Sequence, residues 1–170
     1  ISSGLVGSEM CIRDRGEAET IDAYHGGTGT TTVQTVTGSA SDMATLAGGG
    51  NKISIAGADI TLNSAITNKS DLETVLGYTS GTVTVGSITE DKTDLASVAL
   101  NSGTFAKASL TGAAITVTGQ INKGDAVTID AYHGGSGTVT VQSVTGSVTD
   151  MTDLDGDGTV SYTHLRAHET

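Results

Sequence analysis

Residues 20–43 (TIDAYHGGTGTTTVQTVTGSASDM) return 108 residues later as residues 128–151 (TIDAYHGGSGTVTVQSVTGSVTDM), with 19 of 24 positions identical. The match continues forward at Leu46/Leu154 and Gly48/Gly156, and backward at Gly16/Gly124 and Ala18/Ala126. A weaker copy lies between, where GADIT (57–61) aligns with GAAIT (112–116) and SGTVT (80–84) with 136–140. The period is therefore about 54 residues, in the range where one supersecondary unit buries its apolar face only against its neighbours.

Each period divides into strand and short-helix pairs. Thr82-Val83-Thr84-Val85, Thr138-Val139-Thr140-Val141, Ile115-Thr116-Val117-Thr118 and Ile60-Thr61-Leu62 alternate apolar and β-branched polar residues, the pattern of a half-buried strand. A helix start follows each strand. Ser70-Asp71-Leu72-Glu73 reads as a capping box, with Leu72, Val75 and Leu76 at helical spacing and Gly77 as the stop. Asp42 with Met43 and Leu46, Asp94 with Leu95 and Val98, Asp150 with Met151 and Leu154, and Asp125 before Ala126 give the same signal. These five aspartates are spaced 29, 23, 31 and 25, so long and short turns alternate. The expected fold is α/β, a repeat solenoid of short parallel strands alternating with short helices or turns. If the helices are only turns, it becomes an all-β parallel β-helix. A sandwich of hairpins is the competitor, and two-residue hairpin turns between the strands are missing.

Composition narrows the function classes. With 36% apolar residues, 3% aromatic and no Trp, a core here is built from small branched side chains. A net charge of −11 repels phosphate, so neither nucleic acid nor an anionic membrane surface is an expected partner. No run of about 18 apolar residues is present to span a bilayer.

Both ends look foreign to this pattern. Residues 5–14 (LVGSEMCIRD) and 160–169 (VSYTHLRAHE) are antisense to each other at all ten positions. Met10 (ATG) opposes His164 (CAT), Glu9 (GAG) opposes Leu165 (CTC), and Cys11 (TGT) opposes Thr163 (ACA). No folding constraint gives that relation, whereas an inverted DNA repeat does. The deduced DNA resembles the transposon-end adapter of sequencing libraries. The expected organisation is thus 1–15 adapter-derived, 16–159 a repeat solenoid fragment, and 160–170 adapter-derived, the fragment coming from a longer, metagenomic reading frame. The only Cys and all three Arg fall in the ends; residues 16–159 hold 5 Lys and 16 acidic residues.

Residues 115–154 (ITVTGQINKGDAVTIDAYHGGSGTVTVQSVTGSVTDMTDL) resemble the Thr/Gly/Asp-rich repeat arrays of giant secreted or surface proteins of bacteria, notably marine cyanobacteria. The resemblance is one of composition and period over essentially the whole of residues 16–159. It implies an extracellular or cell-surface spacer or adhesive stalk, without catalysis, whose partners are neighbouring repeats of the same chain and extracellular matrix or cell surface.

Three groups of residues invite a chemical reading. Asp153, Asp155 and Asp157, with Gly156 and Gly158, match the start of an EF-hand-type calcium loop, in which alternate carboxylates aim hard oxygens at one cation. Its twelfth position is His164, inside the adapter-like end, so the candidate is a truncated calcium loop. The first repeat copy reads Leu46-Ala47-Gly48-Gly49-Gly50 there, so calcium is not needed to make the turn; an acidic, solvated turn is the alternative. Tyr24-His25-Gly26-Gly27 and Tyr132-His133-Gly134-Gly135 repeat, but each His has no nearby Cys or second His. The expected role is structural, with Tyr packed at a helix end and Gly turning the chain. Finally, the pairs Thr82/Thr84, Thr116/Thr118 and Thr138/Thr140, with Thr30/Thr32 in part, form a rank on one sheet face. Thr suits any strand, but a straight, unobstructed rank resembles an ice-binding surface, and a Lys across it defeats that reading. An enzyme is not expected, because the acids sit where helix starts already account for them.

Overall fold

The computed structural model describes residues 14–24, 29–49, 52–99, 103–134, 137–156, 160–162 and 165–167, with backbone alone at 133, 155, 156 and from 160 onward. The elements run α1 (Arg15–Tyr24), β1 (Thr31–Thr32), β2 (Thr35–Gly38), α2 (Ala40–Ala47), β3 (Ile53–Ser54), β4 (Asp59–Leu62), α3 (Lys69–Tyr78), β5 (Val83–Val85), β6 (Ser87–Glu90) and α4 (Lys92–Ala99). After a 3-10 turn at Gly103–Phe105 come β7 (Ala108–Ser109), β8 (Ala114–Asn122) and α5 (Lys123–Asp130). A second 3-10 turn (Ala131–His133) leads to β9 (Val139–Gly146), α6 (Val148–Gly156), β10 (Val160–Tyr162) and β11 (Leu165–Ala167).

The chain is α/β, and every strand pair among the described residues is parallel. That excludes a hairpin sandwich. The helix starts form helices of 8 to 10 residues rather than turns, which excludes the all-β alternative. Two details differ from the sequence reading. The N-cap of α3 is Asn68, not Ser70: its side chain accepts the Ser70 N–H at 2.9 Å. The Asn amide oxygen accepts as a Ser hydroxyl oxygen would, and it sits two residues earlier. Gly77 does not stop α3, which continues to Tyr78 and ends on an extended Thr79. The end is closed instead by Lys107, whose Nζ donates to the carbonyls of Leu76, at 2.7 Å, and Thr79.

The alternating turn lengths have a structural cause. A short unit such as β5–β6–α4 carries two strand segments. The long unit β3–β4–α3 carries three, the third being Ile66, which bridges to Ile88. Its first two segments pair backward, Thr31 with Ile53 and Val36 with Ile60; its last two pair forward, Ile60 with Val83 and Ile66 with Ile88. The long unit β7–β8–α5 repeats this. Val83 pairs with Ala108 and Ile88 with Ile115 behind it, while Ile115 pairs with Val139 and Ile121 with Val144 ahead. The register breaks between Val117 and Gln120, where Gly119 takes a left-handed φ of 79°. Each long unit therefore shifts the pairing sideways by one strand, and the sheets separate into β1-β3, β2-β4-β5-β7 and β6-β8-β9-β10, with β11 also paired to β9.

The core lies between these sheets and the helices. Val36, Ile60, Val83, Ile88, Ile115, Val139 and Val144 face Met43, Leu46, Leu72, Val75, Leu76, Leu95, Val98, Ile129 and Leu154 in one buried cluster. Small branched side chains fill it, as the composition requires, with Phe105 its one phenylalanine.

Candidate functional site

The polar chemistry of the described residues gathers at the helix N-termini. A helix leaves its first N–H groups without partners, and a carboxylate three residues into it can return a bond to the cap. Ser39 and Asp42 do this in α2, Asn122 and Asp125 in α5, with both reciprocal bonds formed. Ser147 and Asp150 exchange the same bonds at α6, at 2.9 and 3.2 Å. Asp91 serves α4, accepting the N–H groups of Thr93 and Asp94.

A cation at the first residue of one helix reaches the aspartate at the third residue of the next. Arg15 lies 3.5 Å from Asp42, Lys69 2.5 Å from Asp94, Lys92 2.8 Å from Asp125, and Lys123 3.7 Å from Asp150. The sequence reading found the aspartates and missed their partners. The recurring signal was a basic residue two positions before an acid: Arg15-Gly-Glu17, Lys69-Ser-Asp71, Lys92-Thr-Asp94 and Lys123-Gly-Asp125.

These contacts set the titration of the edge. The Ser39 hydroxyl and N–H hold the Asp42 carboxyl below its ordinary value. Lys92, then the Asn122 N–H, does the same for Asp125. The Ser147 N–H and hydroxyl do so for Asp150. Lys69 is raised by its bond to Asp94, and Lys123 by its bond to Asp153. Glu90 runs against the series. Burial pushes its carboxyl up, Asp94 and Asp91 add to the effect, and its Oε1 is buried without a hydrogen-bond partner.

Of the three candidate calcium ligands, Asp153 lies exposed on α6, its Oδ2 2.5 Å from Lys123 Nζ. The backbone of Asp155 belongs to α6, and Asp157 lies outside the described residues. Among the described residues no three His, Cys, Asp or Glu side chains converge on a cation-sized space. No described helix is long and apolar enough to cross a membrane.

The two Tyr-His copies differ. Tyr132 packs partly against the core, in a hollow of about 310 Å³ with Val98, Ala99, Lys107 and Leu110, and Gly134 closes its turn at φ 67°. Tyr24 is 87% exposed, contrary to the expected packing. Among the described residues no helix precedes α1 to form such a hollow beside it. His25, Gly26, Gly27 and Gly135 lie outside the described residues.

The threonines form two columns rather than one rank, because the sideways shift divides them between sheets. Thr37, Thr61, Thr84 and Ser109 are in register on one sheet. Thr89, Thr116, Thr140 and Ser161 are in register on another. The column beside the first contains Thr35 and Asp59, and Thr82 and Lys107 flank the same strands. Compared with known protein families, with curated proteins and with solved structures, the chain matches none.

Proposed function

We propose that this chain is a stretch of a β–α solenoid array from a large secreted or cell-surface bacterial protein, and that its task is mechanical: spacing, adhesion or matrix formation. The observation that supports it is the order of pairing. Among the described residues each strand–helix unit pairs only with the unit before it and the unit after it, and the sequence returns to a near-identical unit after 108 residues. In such a stack, stability is a sum of unit and nearest-neighbour contributions, so length is added without a new core. The acidic helix starts keep the rod soluble, and the lysine bridges tie one unit to the next.

Pulling the full chain from both ends in a single-molecule instrument tests this. Units of 23 to 31 residues lengthen the tether in steps of about 80–110 Å at about 3.5 Å per residue. One event releasing the whole chain overturns the array.

The proposal also treats residues 1–15 and 160–170 as adapter-derived. Sequencing the source locus across both junctions is expected to show further repeats beyond Gly16 and Thr159, and a locus that encodes both end peptides overturns it. An antibody against residues 16–159 is expected to label intact cells; labelling only after permeabilisation overturns the surface assignment.

A further inference from the structure

We infer that the edge formed by β1 and β2 is an acceptor for a parallel β-strand of the Ala114–Asn122 type, supplied by another unit of the same array. The inference rests on the array reading and names the contact by which one stretch would join the next.

The repeat supplies the argument. Residues 31–38 (TTVQTVTG) correspond to β9 (VTVQSVTG) at the 108-residue offset, with six of eight positions identical. β1 and β2 use one edge for the following unit, Thr31 and Val36 pairing with Ile53 and Ile60. On the other edge β9 holds β8, with Ile115 opposite Val139, Val117 opposite Val141 and Ile121 opposite Val144. On the matching edge of β1 and β2, the described residues place no strand.

The surroundings of that edge are already those of the filled one. α1 packs on β2 and α2, as α5 packs on β9 and α6. In the filled copy Gln142 Oε1 accepts the Gly119 N–H at 3.1 Å, and Thr145 Oγ1 donates to the Ile121 carbonyl at 3.3 Å. The matching residues are Gln34 and Thr37, unchanged in type, and Gln34 is exposed. Thr31 and Val33 spend their N–H groups on the Lys52 and Ser54 carbonyls. Strand alternation therefore turns the N–H groups of Thr32 and Gln34 toward the other edge. The occupant is thus defined residue by residue: Ile115 opposite Thr31, Val117 opposite Val33, and Ile121 opposite Val36.

The test is amide hydrogen exchange of the full chain with the nine-residue peptide AITVTGQIN. Exchange at Thr32 and Gln34 is expected to slow about 10-fold at a peptide concentration of about 10 Kd, while Val83, paired on both sides, is unchanged. Gln34→Ala is expected to weaken the protection, and so is a peptide carrying Gly119→Val, which must enter a left-handed conformation. No protection, or equal protection by a scrambled peptide, overturns the inference. Stepwise lengthening under force without peptide protection removes this edge alone; a single unfolding event removes the array reading with it.

Discussion

Lys92 Nζ lies 2.8 Å from the Asp125 carboxylate, joining the first residue of α4 to the third residue of α5. Asp125 also closes the capping box of its own helix, so one carboxylate serves a joint between units and a cap within one. The two roles separate by substitution. Lys92→Met loses only a partly exposed ion pair and costs about 0.5 kcal/mol in urea unfolding. Asp125→Ala loses the cap as well and costs about 1–2 kcal/mol. Equal losses would mean that the bridge, not the cap, matters.

Acid weakens the fold through the same carboxylates. Asp42, Asp125 and Asp150 titrate below the ordinary 3.8. A carboxyl lowered by folding contributes stability above its unfolded pKa and loses that contribution as pH falls through the folded one. The urea midpoint is expected to hold from neutral pH to about 5 and to fall below about 4. Asp42→Asn lowers the plateau and shallows the fall.

Glu90 has the opposite sign. Its carboxyl is raised, chiefly by burial, so its ionised form is less stable in the folded chain than in the unfolded one. Glu90→Gln is expected to raise the urea midpoint at neutral pH. The gain should vanish below about pH 4, where both states of Glu90 are protonated. A gain that persists in acid would trace to packing instead.

Two glycines give contrasting outcomes. Gly77 is exposed inside α3 with nothing near a prospective Cβ, so Gly77→Ala is expected to stabilise the chain by up to about 1 kcal/mol. A Cβ on Gly86 would sit 2.8 Å from the Leu62 carbonyl oxygen of the preceding unit. Gly86→Ala is therefore expected to cost about 1–3 kcal/mol. Thermal melting of the two variants reads the difference.

Much of this architecture was visible in the chain. Threonine–valine alternation marked Val83–Val85 and Val139–Gly146, and Leu72, Val75 and Leu76 marked the buried face of α3, because periodicity reports which side chains leave water. The aspartate spacing showed that units alternate in length. It did not show that the longer ones insert a third pairing segment, since Ile66 pairs through a single bridge too short to have a period. The lysine bridges escaped notice because each joins residues about 25 to 33 apart, a distance at which only the fold decides who meets whom. The cap at Asn68 was displaced by a stronger-looking motif two residues later.

If the Asp153 turn takes calcium, the cation must compete with Lys123, which bonds the Asp153 carboxylate. Lys123→Met is therefore expected to tighten calcium binding in titration calorimetry, and Lys92→Met, which removes an equal charge elsewhere, to leave it unchanged. An equal effect of both, or none, removes an Asp153-centred site.

The sideways shift of the strands has a consequence for anything that lies across the sheets. Each face is a terrace: β2-β4-β5-β7 ends at its fourth strand while β6-β8-β9-β10 has already begun beside it. Three intervals of about 4.8 Å give a terrace about 14 Å long. A straight partner, whether a crystal face or a stiff polymer, meets a ledge at that distance. A flexible one can step across. In the array proposed above, stiffness would therefore grade partners before any side chain distinguishes them.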